Sequence, residues 1–311
     1  MFDANATLFE AALAFREAYA VAVLDRARVA VLTEQQAALD ALSQIMQGLA
    51  KGGEAAGYDL RRQRAQARLH QRTLDSAKAR ARASAVLLEA WTGTQTELPA
   101  LALEELGESS ADARSASEKP LLEHPRLRSL DAEARASGLE ERAARRRWVP
   151  DLEIFAGYRA STVATETGHG LALGLRLPLT FFDHGQGEAS RAEAEQALAR
   201  ATVESLQRQH SATWKSAGVE LQLLSASMSE ADVGVGEALA LQQKAKQLYT
   251  AGETTITELL EAFRAAEEAR LSRIALVEEI AVARLSRMRA VGSQFDAALD
   301  RVCSVAGGAA R

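Results

Sequence analysis

The sequence predicts a mainly α-helical protein with very long antiparallel coiled-coil helices, a two-fold internal repeat and one β-hairpin. All five prolines lie between Trp91 and Phe181, and the regions on either side contain none. Because proline in a helix interior costs about 3 kcal/mol, its absence permits helices of unusual length. A composition rich in alanine and charged residues, with 5% aromatic residues, is typical of long helices rather than of a bulky globular core.

The repeat is visible as two stretches that match at a constant separation of 199 residues. Gly53-Glu54 and Gly252-Glu253 each open a helical stretch, and the two stretches close at Gly93 and Gly292. Glycine is the usual residue at tight turns and just after helices. We therefore interpret the chain as two copies of one unit, each with a long helix, a tight turn and a return helix.

The repeat predicts four regions. The first repeat occupies residues 1–93 as a helical hairpin that lacks a β-hairpin, and a polar linker with turn residues follows at 94–124. The second repeat occupies residues 125–292. It contains a lead-in helix that ends before Pro150, a β-hairpin at 151–180 and a long helical hairpin at 187–291. In that helical hairpin the long helix ends at Thr250 and the return helix begins at Glu253. Residues 293–311 form a flexible tail.

The repeat also predicts what precedes Met1. The counterpart of the β-hairpin would fall before the first residue, and the start of the sequence lacks the basic and apolar regions of a signal peptide. We expect a chain that is incomplete at its amino terminus, with its export signal not present here. A cytoplasmic helical protein without any export signal is the alternative.

The β-hairpin is predicted from two segments, residues 151–161 and 169–180, in which apolar residues alternate with small or polar ones. Each is long enough to cross a bilayer as a tilted strand, which takes about 9–11 residues. The charged residues Glu153, Arg159 and Arg176 lie on one face of the strands. Transmembrane strands with lipid-facing leucines and a hairpin on a soluble core both fit this pattern. Gly168-His-Gly170 is interpreted as turn material. The lipid-facing candidates are Leu152, Ile154, Leu171, Leu173, Leu175 and Leu177.

Composition and motifs argue against several classes of function. A net charge of −5 and a pI near 5.7 disfavour a nucleic-acid partner. The lone Cys303 has no partner for a disulfide or a metal site, and the histidines show no ligand spacing. No phosphate-binding loop or nucleophile motif is present. We therefore predict no enzyme activity, no catalytic residues, no cofactor and no metal site.

Several motifs together give the chain a family resemblance. His124-Pro125 opens the second repeat, and a phenylalanine pair, Phe181-Phe182-Asp183, precedes Gly185 and Gly187. With these motifs the chain resembles the TolC-like outer-membrane efflux channels of Gram-negative bacteria, and is most similar to their heavy-metal cation branch. The remaining motifs are Trp148-Val-Pro150, Leu177-Pro178-Leu179, Arg191-Ala-Glu-Ala-Glu195 and Tyr249-Thr-Ala-Gly252-Glu.

The resemblance implies a homotrimer whose hairpins form a transmembrane β-barrel in the outer membrane and whose helices extend into the periplasm. It implies passive export of substrates, favouring heavy-metal cations over organic solvents or drugs. The partners would be a periplasmic adaptor protein, an inner-membrane efflux pump and outer-membrane lipid, as in tripartite systems. A soluble periplasmic or cytoplasmic coiled-coil scaffold or adaptor is the alternative.

The resemblance also implies site residues. Glu258 and Glu261, three residues apart on one helix face, would form the channel gate at the periplasmic constriction. Sequence alone favours the alternative that they are acids at a helix start, where the helix dipole stabilises them. The first repeat has Asp59 and Arg62 at the matching positions. The adaptor-docking tip turns would comprise Gly252, Glu253, Thr254, Thr255, Gly53 and Glu54.

Aromatic and histidine residues near the hairpin leave two interpretations open. An aromatic girdle at the membrane surface and ordinary packing between strands and helices are equally compatible with the sequence. His169 and His184 are interpreted as surface histidines rather than metal ligands. The aromatic residues concerned are Trp148, Tyr158, Phe181 and Phe182.

Overall fold

The computed structural model describes residues 2–51, 57–94, 102–107, 124–146, 152–163, 166–176 and 185–292. The chain divides into two compact units, one built from residues 3–124 and 209–311 and the other from residues 125–208. The helices and strands, in chain order, are α1 (Phe2–Lys51), α2 (Gly57–Thr92), α3 (Ala102–Gly107), α4 (Pro125–Arg145), β1 (Glu153–Val163), β2 (Glu166–Arg176), α5 (Gln186–Thr250) and α6 (Ile256–Val291).

The long helices confirm the mainly helical prediction. Helices α1 and α5 have 50 and 65 residues, far longer than the roughly 10–14 residues usual in globular proteins. The predicted end of the long helix at Thr250 agrees with the structure. The return helix α6 starts at Ile256 rather than at the predicted Glu253, because Thr255 is the residue that caps it.

The return helices α2 and α6 show the repeat in three dimensions. Each has 36 residues, and each ends at a glycine with a left-handed backbone, with φ of +70° at Gly93 and +67° at Gly292. The amide of Gly93 donates to the Glu89 carbonyl at 2.8 Å, and that of Gly292 donates to the Met288 carbonyl at 3.1 Å. These four residues keep the 199-residue separation, so both copies end with the same C-cap.

Buried polar side chains set the register between α1 and α2. The Gln63 amide donates to the Leu39 carbonyl at 2.6 Å, and the His70 imidazole bonds the Leu32 carbonyl at 2.9 Å. Both pairs are buried, and they are one heptad apart on each helix. A shift of one residue would leave these polar groups unpaired at a cost of about 1–3 kcal/mol each, so the pairs select one antiparallel alignment.

The core of the larger unit consists of buried apolar clusters along the long helices. One cluster joins α1, α5 and α6 beside the turn between α5 and α6, where Leu42, Met46 and Leu259 are almost completely buried. Further clusters centre on Val277 and Ile280 of α6. Helix α6 contributes to all three, so it is the central packing element of this unit.

The region predicted as a linker at 94–124 contains one short helix, α3, which its turn residues did not predict. Helix α3 packs Leu103 and Leu106 against the cluster around Val277. The Arg284 guanidinium donates to the Leu106 carbonyl at 2.6 Å and to the Gly107 carbonyl at 3.4 Å. Arg284 thus satisfies carbonyls that a helix C-terminus leaves without partners.

The smaller unit contains α4, the hairpin and the first part of α5. Helix α4 was expected to reach Val149, but the α-helix ends at Arg145, and residues 147–150 lie outside the described residues. The Gln196 side chain donates to the Ala134 carbonyl at 3.3 Å, so α5 packs on α4. A side chain at Gly138 would clash with Gln196, because its Cβ would lie 2.3 Å from the Gln196 Nε2 atom.

The hairpin forms close to the predicted place but with shifted bounds. Strand β1 covers Glu153–Val163 rather than 151–161, and β2 covers Glu166–Arg176 rather than 169–180. The turn prediction for residues 168–170 was wrong, because these residues lie within β2. Pairing of Val163 with Glu166 leaves only residues 164 and 165, outside the described residues, to make the connection.

Candidate gate, tip turn and hairpin faces

The turn between α5 and α6 is stabilised by a Schellman motif. The Glu253 amide donates to the Leu248 carbonyl at 2.9 Å, and the Gly252 amide donates to the Tyr249 carbonyl at 3.1 Å. Gly252 has φ of +76°, which L-residues with a side chain rarely adopt. No atom lies within 4 Å of a Cβ built at Gly252, so the backbone conformation rather than space demands glycine.

Helix α6 begins with a capping box formed by Thr255 and Glu258. The Thr255 hydroxyl accepts from the Glu258 amide at 3.3 Å, and the Glu258 carboxylate accepts from the Thr255 amide at 2.9 Å. The same carboxylate also accepts from the hydroxyls of Thr254 and Thr255. Three donors therefore converge on one carboxylate at the tip of the helical hairpin.

These hydrogen bonds lower the pKa of Glu258, with the Thr254 hydroxyl as the largest cause, followed by the Thr255 amide and hydroxyl. Glu258 is therefore an ionised helix cap in this structure, which supports the helix-start interpretation. A carboxylate used in this way still presents a negative charge to solvent, because Glu258 is exposed. Its role in the gate stays a prediction.

Glu261 follows one turn later and is also exposed. Within the described part of the chain, its carboxylate has neither a hydrogen bond nor an ion pair. Residues three apart lie on the same helix face, so the two carboxylates point to one side of α6. Glu261 is the residue of this pair that no local structural role explains.

The first repeat contributes a cation to the same tip. The Arg62 guanidinium donates to the Thr257 hydroxyl at 2.8 Å, between helices that are not neighbours in sequence. Arg62 occupies the position that matches Glu261 in the repeat. This contact has no local sequence signal, because it depends on the side-by-side arrangement of α2 and α6. Gly53 and Glu54 lie outside the described residues.

The apolar face of the hairpin follows from the strand register. Ile154 pairs with Leu175, and Leu173 pairs with Ala156, so the described leucines and Ile154 share one face. The large apolar residues of this face in the two strands are 65–86% exposed, and Leu171 and Leu173 are the most exposed. Leu152 precedes β1 and is also exposed, while Leu177 lies outside the described residues. A contiguous exposed apolar face marks a surface for protein or lipid.

Apart from Phe155, the opposite face is polar or small. Glu153 and Arg176 are directly paired and form a salt bridge at 3.7 Å. The Phe155 ring covers Gly174, so a Cβ at Gly174 would lie 2.1 Å from the ring Cζ atom. Gly157 pairs with Ala172 beside them. The two faces of the hairpin thus differ in the manner of a strand pair with lipid on one side and water on the other.

The described residues contain neither a helix that meets the length and hydropathy needed to cross a membrane nor a cluster of three His, Cys, Asp or Glu side chains that could hold a metal ion. His169 stacks on Tyr158 with ring centroids 5.7 Å apart and hydrogen-bonds its hydroxyl. Trp148, Phe181, Phe182 and His184 lie outside the described residues.

Two histidines meet at the C-terminal end of α6, an arrangement that sequence analysis missed. His124 stacks on His210 with ring centroids 4.4 Å apart, and its Nε2 lies 3.1 Å from the Arg289 carbonyl. Burial, and secondarily the neighbouring His210, lowers the pKa of His124 to about 4. Burial also lowers the pKa of His210. These residues are too far apart in sequence to form a recognisable motif.

Comparisons with known proteins agree with these features. The family model described as outer membrane efflux protein matches residues 116–293, more than half of the chain. The solved outer-membrane channel OprN superimposes with a TM-score of 0.80 at 17% identity, covering 94% of this chain and 68% of that chain. No curated protein sequence matches the chain.

Two further solved structures have the same fold. The outer membrane protein VceC of Vibrio cholerae gives a TM-score of 0.77 at 16% identity, covering 95% of this chain and 72% of that chain. The CmeC outer membrane channel of Campylobacter jejuni gives 0.75 at 15% identity, covering 94% of this chain and 64% of that chain. At these identities the similarity establishes a shared fold.

Proposed function

Because the chain belongs to the outer membrane efflux protein family, we propose that it forms part of a passive exit duct through the outer membrane and periplasm. Members of this family are channels, so the chain is not an enzyme. The single observation that carries the proposal is the hairpin register, which gathers the exposed leucines on one face and the charged residues on the other. Lipid and a watery lumen are the two environments that such faces require.

The hairpin also argues for assembly. Within the described residues, the sheet has two strands, and the outer edge of each presents unpaired backbone groups. A membrane interior does not tolerate such edges, because each unsatisfied backbone group costs several kcal/mol there. Further strands must therefore close the sheet. A homotrimer, with the long helices extending into the periplasm, would supply some of these strands. Three copies of this hairpin give six strands, so a closed barrel also needs strands from outside the described residues.

The expected partners are a periplasmic adaptor protein and an inner-membrane efflux pump. The tip turn at Gly252–Thr255 would contact the adaptor, since it lies at the end of the longest helix and has a rigid, doubly capped geometry. Glu258 and Glu261, just beyond this turn, would form the gate. Heavy-metal cations are the favoured substrates, supported by the Phe181-Phe182-Asp183 motif and by the acidic side chains at the gate.

Subcellular fractionation tests the duct against the soluble scaffold. The chain is expressed with an added export leader in a Gram-negative host, and its distribution between outer membrane and soluble periplasm is measured. The duct predicts recovery in the outer membrane, with release by detergent but not by high salt. Recovery of well-folded chain in the soluble periplasm would favour the scaffold instead.

A further inference from the structure

The two return helices α2 and α6 are joined by a buried imidazole that the proposed channel function does not explain. His70 of α2 is 5% exposed, and its Nδ1 lies 3.4 Å from the Glu267 carboxylate of α6. Its Nε2 lies 2.9 Å from the Leu32 carbonyl of α1. The His70 side chain therefore contacts two other helices from α2. Its Nε2 contact stays within the first repeat, and its Nδ1 contact reaches the second repeat.

The position of the protons on His70 follows from its partners. A carbonyl oxygen only accepts, so the Nε2 atom must carry a hydrogen to bond Leu32. The contact between Nδ1 and the Glu267 carboxylate then needs one further proton, held by either atom. Without this proton, a lone pair on Nδ1 would face a negative carboxylate, and the contact would become repulsive.

The surroundings favour keeping that proton. Burial raises the pKa of Glu267, while His70 and then Arg264 act in the opposite direction. Arg264 and Glu268 are the other charged residues that line the adjacent groove between α2 and α6. On α1, Glu34 pairs with Arg270 rather than with the imidazole. A raised pKa means that the contribution of Glu267 is present at low pH and is lost as pH rises through its folded value.

We propose that His70 and Glu267 form a proton-dependent latch between α2 and α6, closed while they share one proton and open once it is lost. The bond to Leu32 keeps the imidazole in the first repeat in both states, so opening affects only the contact between repeats. A second proton at low pH leaves an N–H on His70 that still donates to the neutral Glu267 carbonyl. The latch therefore opens with rising pH.

The test uses repeat-equivalent positions on the two helices. Thr73 and Ser272 both line the groove and are exposed, so spin labels at T73C and S272C, in a C303S background, report the separation of α2 and α6 within one chain. Distances are measured by pulsed electron spin resonance from pH ~5 to pH ~9. We expect the short-distance population to fall by about two-fold or more toward alkaline pH.

Two matched variants identify the titrating group. In Glu267→Gln the glutamine amide donates to Nδ1 when the imidazole is neutral, and the glutamine carbonyl accepts from Nδ1–H when the imidazole is charged. Its distance distribution should therefore stay short and independent of pH. Glu268→Gln, on the exposed neighbouring residue, should behave as the unmodified chain does. A pH-independent distance in the unmodified chain would overturn the latch. So would an equal pH response in the chain carrying Glu267→Gln.

This readout does not depend on export. It measures a distance within the folded chain, so the latch can fail while the channel function holds, and the reverse is also true.

Discussion

The Phe155 ring lies directly over Gly174 on the neighbouring strand, where a Cβ would be 2.1 Å from its Cζ atom. The ring covers the backbone that the glycine leaves bare, and the pair is in direct register. Gly174 lies on the face opposite the leucines, where a substitution would serve as the control in a test of the hairpin's orientation. The structure excludes it as a control, because any side chain there would displace Phe155.

The hairpin faces are better tested at Leu173 and Ala172. Arginine at a lipid-facing site near the bilayer midplane costs roughly 2–4 kcal/mol. Leu173→Arg should therefore reduce recovery in the outer membrane strongly, whereas Ala172→Arg, which points to the opposite face beside Gly157, should be tolerated. Quantitative immunoblotting of outer-membrane fractions checks this. Equal losses in both variants would contradict the assigned facing.

The gate prediction concerns the two acids beyond the tip turn. Replacing Glu258 and Glu261 with alanine in an assembled channel should weaken cation selectivity and relieve block by trivalent cations, as expected for acidic rings. Single-channel recordings in planar bilayers measure both effects. Glu268 and Glu279, exposed acids further along α6, make the matched control. Glu267 is unsuitable for that control because it pairs with His70. If both double variants behave alike, the gate lies elsewhere.

The capping box predicts a distinct acid response. The folded pKa of Glu258 is lowered, so its contribution to stability is complete above the unfolded value and is lost as pH falls through the folded value. Glu258→Gln should therefore unfold at a lower urea concentration than the unmodified chain at pH 7. The difference between the two urea midpoints should shrink toward pH ~3. Glu261→Gln is the control and should show little difference at either pH.

The glycine caps predict an order of stabilities. Alanine at Gly252 must adopt a left-handed backbone, which costs roughly 1–2 kcal/mol, but it meets open space. Alanine at Gly292 incurs the same backbone cost and also places Cβ 2.9 Å from the His124 Cα atom. Gly292→Ala should lower the melting temperature more than Gly252→Ala does, as measured by circular dichroism. The reverse order would contradict the His124 contact.

The stacked histidines predict a second pH effect. His124 has a folded pKa of about 4, below the value of 6.5 for a free imidazole. Its contribution is therefore complete above pH 6.5 and is lost as pH falls toward 4. His124→Phe keeps an aromatic ring but cannot titrate, so the loss of stability between these pH values should be smaller in this variant. Urea midpoints across the range check it.

The sequence predicted the elements whose signals are local and long. Proline-free stretches and paired glycines located α5 and α6 to within three residues at each end. Alternation predicted the strands, but their bounds are shifted. The glycines at 168 and 170 are typical of turns, whereas the alternation and the strand continue through them. Helix α3 was missed because it is only six residues long and depends on packing and on Arg284, neither of which has a sequence signature.

The residues of the candidate site also divide into those that the sequence pointed to and those whose contacts only the structure shows. Glu258 and Glu261 were assigned to the gate from the family resemblance, and that role stays a prediction. The exposed leucine face was predicted from its period of two. The contacts of Arg62 with Thr257, of His70 with Glu267 and of His124 with His210 join helices distant in sequence. They depend on how the helices lie beside one another, which no window of a single sequence contains.

The equal length of α2 and α6 limits how this architecture can change in evolution or by design. Adding one heptad to α6 alone would move its tip by about 10 Å relative to α2 and would break the contact between Arg62 and Thr257. The same insertion made in α2 and α6, together with α1 and α5, would preserve the contacts between neighbouring helices and would only lengthen the duct. Changes in length must therefore occur as coordinated sets. In a lengthened homologue, corresponding insertions should start 199 residues plus twice the length of the inserted segment apart.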